Sequence, residues 1–109
     1  MSDKTLKVKI SGTNFKLTDS EQEYVDKKLQ KLVNHMSEHG RESAFVSCKI
    51  TRIDQKTSDD NFQCDVVLTL PEKSLVASET AQSIQAAIDG AEPKLQGQIR
   101  RYKTERTKA

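Results

Sequence analysis

Apolar residues recur in this chain with two different periods, and the order of those periods most limits what it can fold into. Residues 6–10, Leu-Lys-Val-Lys-Ile, alternate apolar and polar, the period of a half-buried strand. Gly12-Thr13-Asn14 then brings turn residues. Thr18-Asp19-Ser20-Glu21 is a capping box, in which Thr18 accepts from the Glu21 backbone and Glu21 reaches back. Beyond it, Val25, Leu29, Leu32, Val33 and Met36 fall on one helical face, which predicts a helix over roughly 19–38 stopping near Gly40. Alternation returns over 44–53, where Ala44, Val46, Cys48 and Ile50 oppose Phe45, Ser47, Lys49 and Thr51. A polar stretch over 54–61 reads as a hairpin loop. The longest alternating run follows, with Phe62, Cys64, Val66, Leu68 and Leu70 in phase. Pro71-Glu72-Lys73 makes a turn into a short fourth strand, Leu75-Val76-Ala77. Ile84, Ile88, Ala91, Leu95, Ile99 and Tyr102 then form one stripe of a second helix.

The order is β-α-β-β-β-α. Strand 1, the helix and strand 2 make a right-handed parallel crossover, and short turns make strands 2 to 4 an antiparallel meander. Each helix has a single apolar stripe, so both pack on the same sheet face. The expected fold is α+β, a four-stranded mixed sheet with two helices packed on one face. Lys7, Lys9, Lys49, Thr51, Gln63, Asp65 and Thr69 are candidates for the solvated face. Inside the second helix, Gly90, Pro93 and Gly97 break the local rule. Pro93 has no N–H for the carbonyl of residue 89, yet the stripe keeps its phase, which predicts one bent helix.

At 109 residues the length suits one domain. No apolar run approaches the about 18 residues of a membrane span, and residues 1–9 carry no signal-peptide pattern. Two cysteines without such a signal predict free thiols in a reducing cytosol. Cys48 and Cys64 sit in phase with apolar neighbours and read as buried small hydrophobes.

Net charge is only +2, but it is a sum of opposites. Residues 94–109 hold six basic residues and one acid, whereas residues 54–80 hold six acids and two lysines. On a helical wheel Tyr24, Lys28, Lys31 and His35 share one flank of helix 1. Lys94 and Arg101 share a flank of helix 2, Arg100 projects outward and Lys103 lies on the opposite flank. Side by side, the helices gather cations suited to phosphate backbones; the plainer reading is solvation of two amphipathic helices.

Enzymatic constellations are missing. His35 and His39 have the i, i+4 spacing of zinc ligands, but without the glutamate a metalloprotease needs they read as solvated helix-end histidines. Asp59-Asp60 reads as a hairpin tip. No phosphate loop, nucleophile elbow or Ser/His/Asp set occurs. No catalytic residue, metal site, cofactor or small-molecule substrate is expected.

Several segments together match a known pattern. Gly12-Thr13-Asn14-Phe15-Lys16-Leu17-Thr18, Glu23-Tyr24-Val25 and Lys28-Leu29-Gln30-Lys31-Leu32 resemble the start of the bacterial ribosome hibernation factors. These comprise the short hibernation-promoting factor and the ribosome-associated inhibitor A. Val76-Ala77-Ser78, Ala86-Ala87-Ile88-Asp89-Gly90, Lys94-Leu95 and Gln98-Ile99 resemble the family's second half. Ser83-Ile84-Gln85 stands where the family usually carries Asp-Met-Tyr, and Gly97 where members often carry Arg.

The resemblance implies a cytoplasmic protein that binds the small ribosomal subunit and its rRNA in the mRNA and tRNA channel. It inhibits translation in stationary phase or stress by occlusion, without chemistry. By position, the implied rRNA-binding residues are Lys28 and Lys31, with Lys27 a weaker candidate, and Lys94, Arg100, Arg101 and Lys103. Residues 1–109 are then one ribosome-binding domain without the long form's C-terminal dimerisation domain. A ribosome-dimerising factor is a further implied partner. The alternative is a protein-interaction or regulatory module of the same fold that does not bind ribosomes.

Overall fold

The computed structural model describes residues 6–32, 36, 44–53, 61–70 and 73–108, with side chains as far as Tyr102. Its elements run β1 (Lys7–Thr13), α1 (Asp19–Gln30), β2 (Phe45–Arg52), β3 (Phe62–Thr69), β4 (Ser74–Ala81) and α2 (Ile84–Lys108). The sheet order is β1-β2-β3-β4. β1 lies parallel to β2, and β2, β3 and β4 form the antiparallel meander. The expected α+β architecture is the one observed.

The pleat sorts the sheet into two faces. Val46, Cys48, Ile50, Cys64, Val66 and Leu68 are wholly buried beneath the helices. Val25 and Leu29 of α1 and Ala87, Ile88, Ala91, Leu95 and Ile99 of α2 close the same core. One apolar face served by two single-stripe helices leaves no second core to build. On the outer face Lys7, Lys9 and Lys49 are exposed, while Thr51, Gln63, Asp65 and Thr69 are half-buried. Asp65 accepts from Ser78 at 2.6 Å and from Gln63 at 3.1 Å.

Several element boundaries differ from the sequence expectation. α1 ends at Gln30 and passes into a single 3₁₀ turn at Lys31 and Leu32. Leu32 and Met36 are still buried, but Met36 is not helical. The next residues, Val33 and Asn34, are poor helix formers; they and Gly40 lie outside the described residues. β4 is much longer than the expected three residues. Its inward positions Glu79 and Ala81 are charged or small, so apolar alternation fades although pairing with β3 continues. Gly12 belongs to β1, and the turn falls at Asn14, which has a φ of 71°. The Gly12 Cα comes so close to the Phe15 carbonyl that a Cβ would sit 2.9 Å from its oxygen. α2 runs unbroken through Pro93.

Candidate nucleic-acid interface

The two helices are fixed at their starts by local hydrogen bonds. Thr18 and Glu21 complete the capping box, with the Thr18 N–H donating to Glu21 Oε1 at 2.9 Å and the Glu21 N–H donating to Thr18 Oγ1 at 3.2 Å. Ser83 accepts from the Ala86 N–H at 3.1 Å and thereby starts α2. With both stripes buried, the remaining flanks of each helix face different neighbours.

Between the helices, Asp89 of α2 gathers two side chains of α1. The Tyr24 hydroxyl donates to Asp89 Oδ1 at 2.7 Å, and Lys28 Nζ lies 3.2 Å from the same oxygen. The Tyr24 hydrogen bond, with Lys28 beside it, holds the Asp89 carboxyl below its ordinary range. The same contact pushes the Tyr24 phenol and the Lys28 ammonium up. Nearby, Glu92 is buried and accepts from Gln96 at 2.5 Å.

On its other flank α2 meets the edge of β4. Lys94 Nζ lies 2.6 Å from Glu79 Oε1 and donates to the Ser78 carbonyl at 3.1 Å. One turn on, Gln98 donates to the Val76 carbonyl at 2.7 Å. Gly90 makes this arrangement possible. A Cβ there would sit 2.8 Å from Glu79 Cγ and 2.9 Å from Cδ, so the absent methyl is the space that Glu79 occupies. Around Gly97 nothing lies within 4 Å of an added Cβ, and packing gives it no explanation.

The candidate cations differ in setting. Lys28 is held by Asp89 and Lys94 by Glu79. Lys27, Lys31, Arg100 and Arg101 are exposed on the helical layer. Arg101, seven residues after Lys94, continues the flank that faces β4, whereas Lys28 and Lys31 lie toward the seam between the helices. The Lys103 side chain, His35, His39, Asp59 and Asp60 lie outside the described residues. Ile84, within the Ser-Ile-Gln segment, is buried. Gln85 borders a cleft of about 70 Å³ with Ser20, Glu21 and Tyr24.

Asp89 and Glu79 escaped the sequence reading. Each lies far along the chain from a partner it holds, with 65 positions separating Tyr24 and Asp89. Gly90 was a partial signal, because a glycine inside a helical pattern costs stability and asks for a packing reason, although Gly97 in the same helix has none. Cys48 and Cys64 are free and wholly buried as expected, with sulfurs 3.6 Å apart. Their shared hydrogen bond and burial push the Cys48 thiol far up. Among the described residues no three of His, Cys, Asp or Glu gather as a metal site, and no helix is long and apolar enough to cross a membrane.

Comparison with known proteins gives this geometry a family. A ribosome hibernation promotion factor of Lactococcus lactis subsp. cremoris (strain MG1363) is 31% identical over 99 residues, covering 91% of this chain and 50% of that protein. One of Staphylococcus aureus (strain COL) is 28% identical over 99 residues, covering 91% and 49%. The chain spans about half the length of these curated relatives. Among solved structures, the Thermus thermophilus Protein Y N-terminal domain has a TM-score of 0.73 at 24% identity, covering 89% of this chain and 99% of that one. A ribosomal subunit interface protein from Coxiella burnetii has 0.71 at 16%, covering 91% and 99%; at these identities the likeness shows the fold alone. The sequence pattern of the family described as Sigma 54 modulation protein / S30EA ribosomal protein matches residues 8–107, nearly the whole β-α-β-β-β-α frame, and the chain belongs to that family.

Proposed function

We propose that this chain is a ribosome hibernation factor: it binds small-subunit rRNA in the mRNA and tRNA channel and inhibits translation in stationary phase or stress. The family match over residues 8–107 carries the reading, supported by two relatives named ribosome hibernation promotion factor. The helical layer supplies the contact surface. Lys27, Lys31, Arg100 and Arg101 are exposed on it, and Lys103 continues α2 in sequence. Such cations bind phosphate without reading bases. Lys28 and Lys94 have a second duty in this reading. Each pairs with an acid on a neighbouring element and still has an N–H donor for a phosphate. The protein works in the cytoplasm by occupying space, with no chemical step, and a ribosome-dimerising factor is its further partner.

Co-sedimentation with purified small subunits over a salt series tests this. Binding should weaken as salt rises, and Arg100→Glu with Arg101→Glu should flatten the slope by about 0.7–0.9 per lost phosphate contact. In vitro translation should fall with the parent chain and recover with the variant. No co-sedimentation at low salt would leave the interaction-module alternative standing. Equal affinity of the variant would remove both arginines from the interface.

A further inference from the structure

α1 is electrostatically two-sided. The flank away from α2 carries Asp19, Gln22, Glu23 and Asp26, which border a groove of about 420 Å³ floored by Val8 and Ile10 of β1. We propose that this groove docks a short, basic, extended segment of a partner protein, added to the sheet as a fifth strand along β1. This does not depend on rRNA binding by the helical cations.

The two margins of the sheet are treated differently. β4 is an edge strand, and α2 occupies part of its edge, because Gln98 and Lys94 take up the Val76 and Ser78 carbonyls. β1 is the other edge strand, and there α1 already imitates a neighbouring strand at one residue. The Leu6 N–H donates to Gln30 Oε1 at 2.9 Å, and Gln30 Nε2 donates back to the Leu6 carbonyl at 2.9 Å. Backbone groups alternate along a strand, so Val8 and Ile10 turn theirs to the same side as Leu6. No side-chain bond to those backbone groups occurs among the described residues. An open strand edge is a template for another strand.

Charge chooses the occupant. Asp19, Glu23 and Asp26 step along the helix by about 6 and 4.5 Å, while alternate residues of an added strand step by about 6.8 Å. Two or three basic side chains on one face of that strand therefore meet the carboxylates of Asp19, Glu23 and Asp26, the last of which also accepts from Gln30 Nε2 at 3.1 Å. A phosphate backbone is repelled by the same wall. The carboxylates do not gather as a metal site, so a single cation does not satisfy them. Gln30 takes up the Leu6 backbone groups and β1 runs from Lys7 to Thr13, so up to about seven extended residues fit along it at roughly 3.4 Å each.

The test is an amide chemical-shift titration of the full chain with a blocked heptapeptide alternating Lys and Thr. Saturable shifts are expected at Val8 and Ile10, and none with the Glu-for-Lys peptide. Of two peptides N-methylated on alternate amides, one set or the other, only one should lose binding. The variant Asp19→Asn, Glu23→Gln, Asp26→Asn should keep its circular dichroism spectrum and weaken binding by about five-fold or more. The proposal is overturned by no shifts at millimolar peptide, by shifts centred on the outer sheet face, or by both methylated peptides binding like the parent. It is also overturned if the Val8 and Ile10 amides of the free protein exchange as slowly as those of β3, since the chain itself would then cover the edge.

Discussion

Gly90→Ala is the substitution in which the structure most reduces the gain that the local rule expects. In an unconstrained helix interior, alanine for glycine gains about 1 kcal/mol. Here the new methyl would sit 2.8 Å from Glu79 Cγ, 2.9 Å from Cδ and 3.1 Å from Oε2. The Cγ is held close to the strand backbone, so Glu79 must leave its rotamer, at a cost of about 0.5–1.5 kcal/mol. Its 2.6 Å ion pair with Lys94 is then lost. Those side chains are 32% and 54% exposed, which places the pair at about 0.2–1 kcal/mol. Together these give a range from a gain of about 0.3 to a loss of about 1.5 kcal/mol. With Glu79→Ala already present, both costs vanish and Gly90→Ala should stabilise by about 1 kcal/mol. The coupling between the two sites is therefore about 0.7–2.5 kcal/mol. Urea unfolding of the four proteins, followed by circular dichroism at constant m-value, measures it. If Gly90→Ala stabilises both backgrounds by the same 1 kcal/mol or so, the account of Gly90 as room for Glu79 is wrong.

Other expectations follow from single contacts. Asp89 ionises below its ordinary value in the fold, so its stabilisation is present above the unfolded value of about 4 and is lost as pH falls through the lower folded value. Asp89→Asn should lower stability at pH 7 and flatten the acid limb, as read by denaturation at stepped pH. Thr18→Ala removes the acceptor of the Glu21 N–H and should cost about 1 kcal/mol, seen as a lower urea midpoint. Cys48 and Cys64 are fully buried and the Cys48 thiol is pushed up. Both should resist a thiol reagent in native buffer and react at once in denaturant; rapid native labelling would contradict their burial.

Legibility in the sequence followed range along the chain. The Thr18 cap and the α1 and α2 stripes depend on residues three or four apart, and the structure repeats them, the α1 stripe only as far as Leu29. β3 was legible because every second residue from Cys64 to Leu68 is both apolar and buried. The far half of β4 was not, because Glu79 and Ala81 face inward without being large and apolar, and only pairing with β3 keeps them extended. The candidate cations were identifiable as residues, but not their partners. A helical wheel orders side chains around one axis and is silent on what lies across from them.

The sequence by itself determined the element order, the shared apolar face and the segregation of charge, because periodicity and capping act within a few residues. Tertiary structure alone decided that Lys28 answers Asp89, that Lys94 answers Glu79, and that side chains of α2 reach the edge of β4 while the acidic flank of α1 borders β1. Those outcomes depend on how closely two elements approach in space, and distances such as the 2.6 Å between Lys94 and Glu79 are set by packing of the whole core.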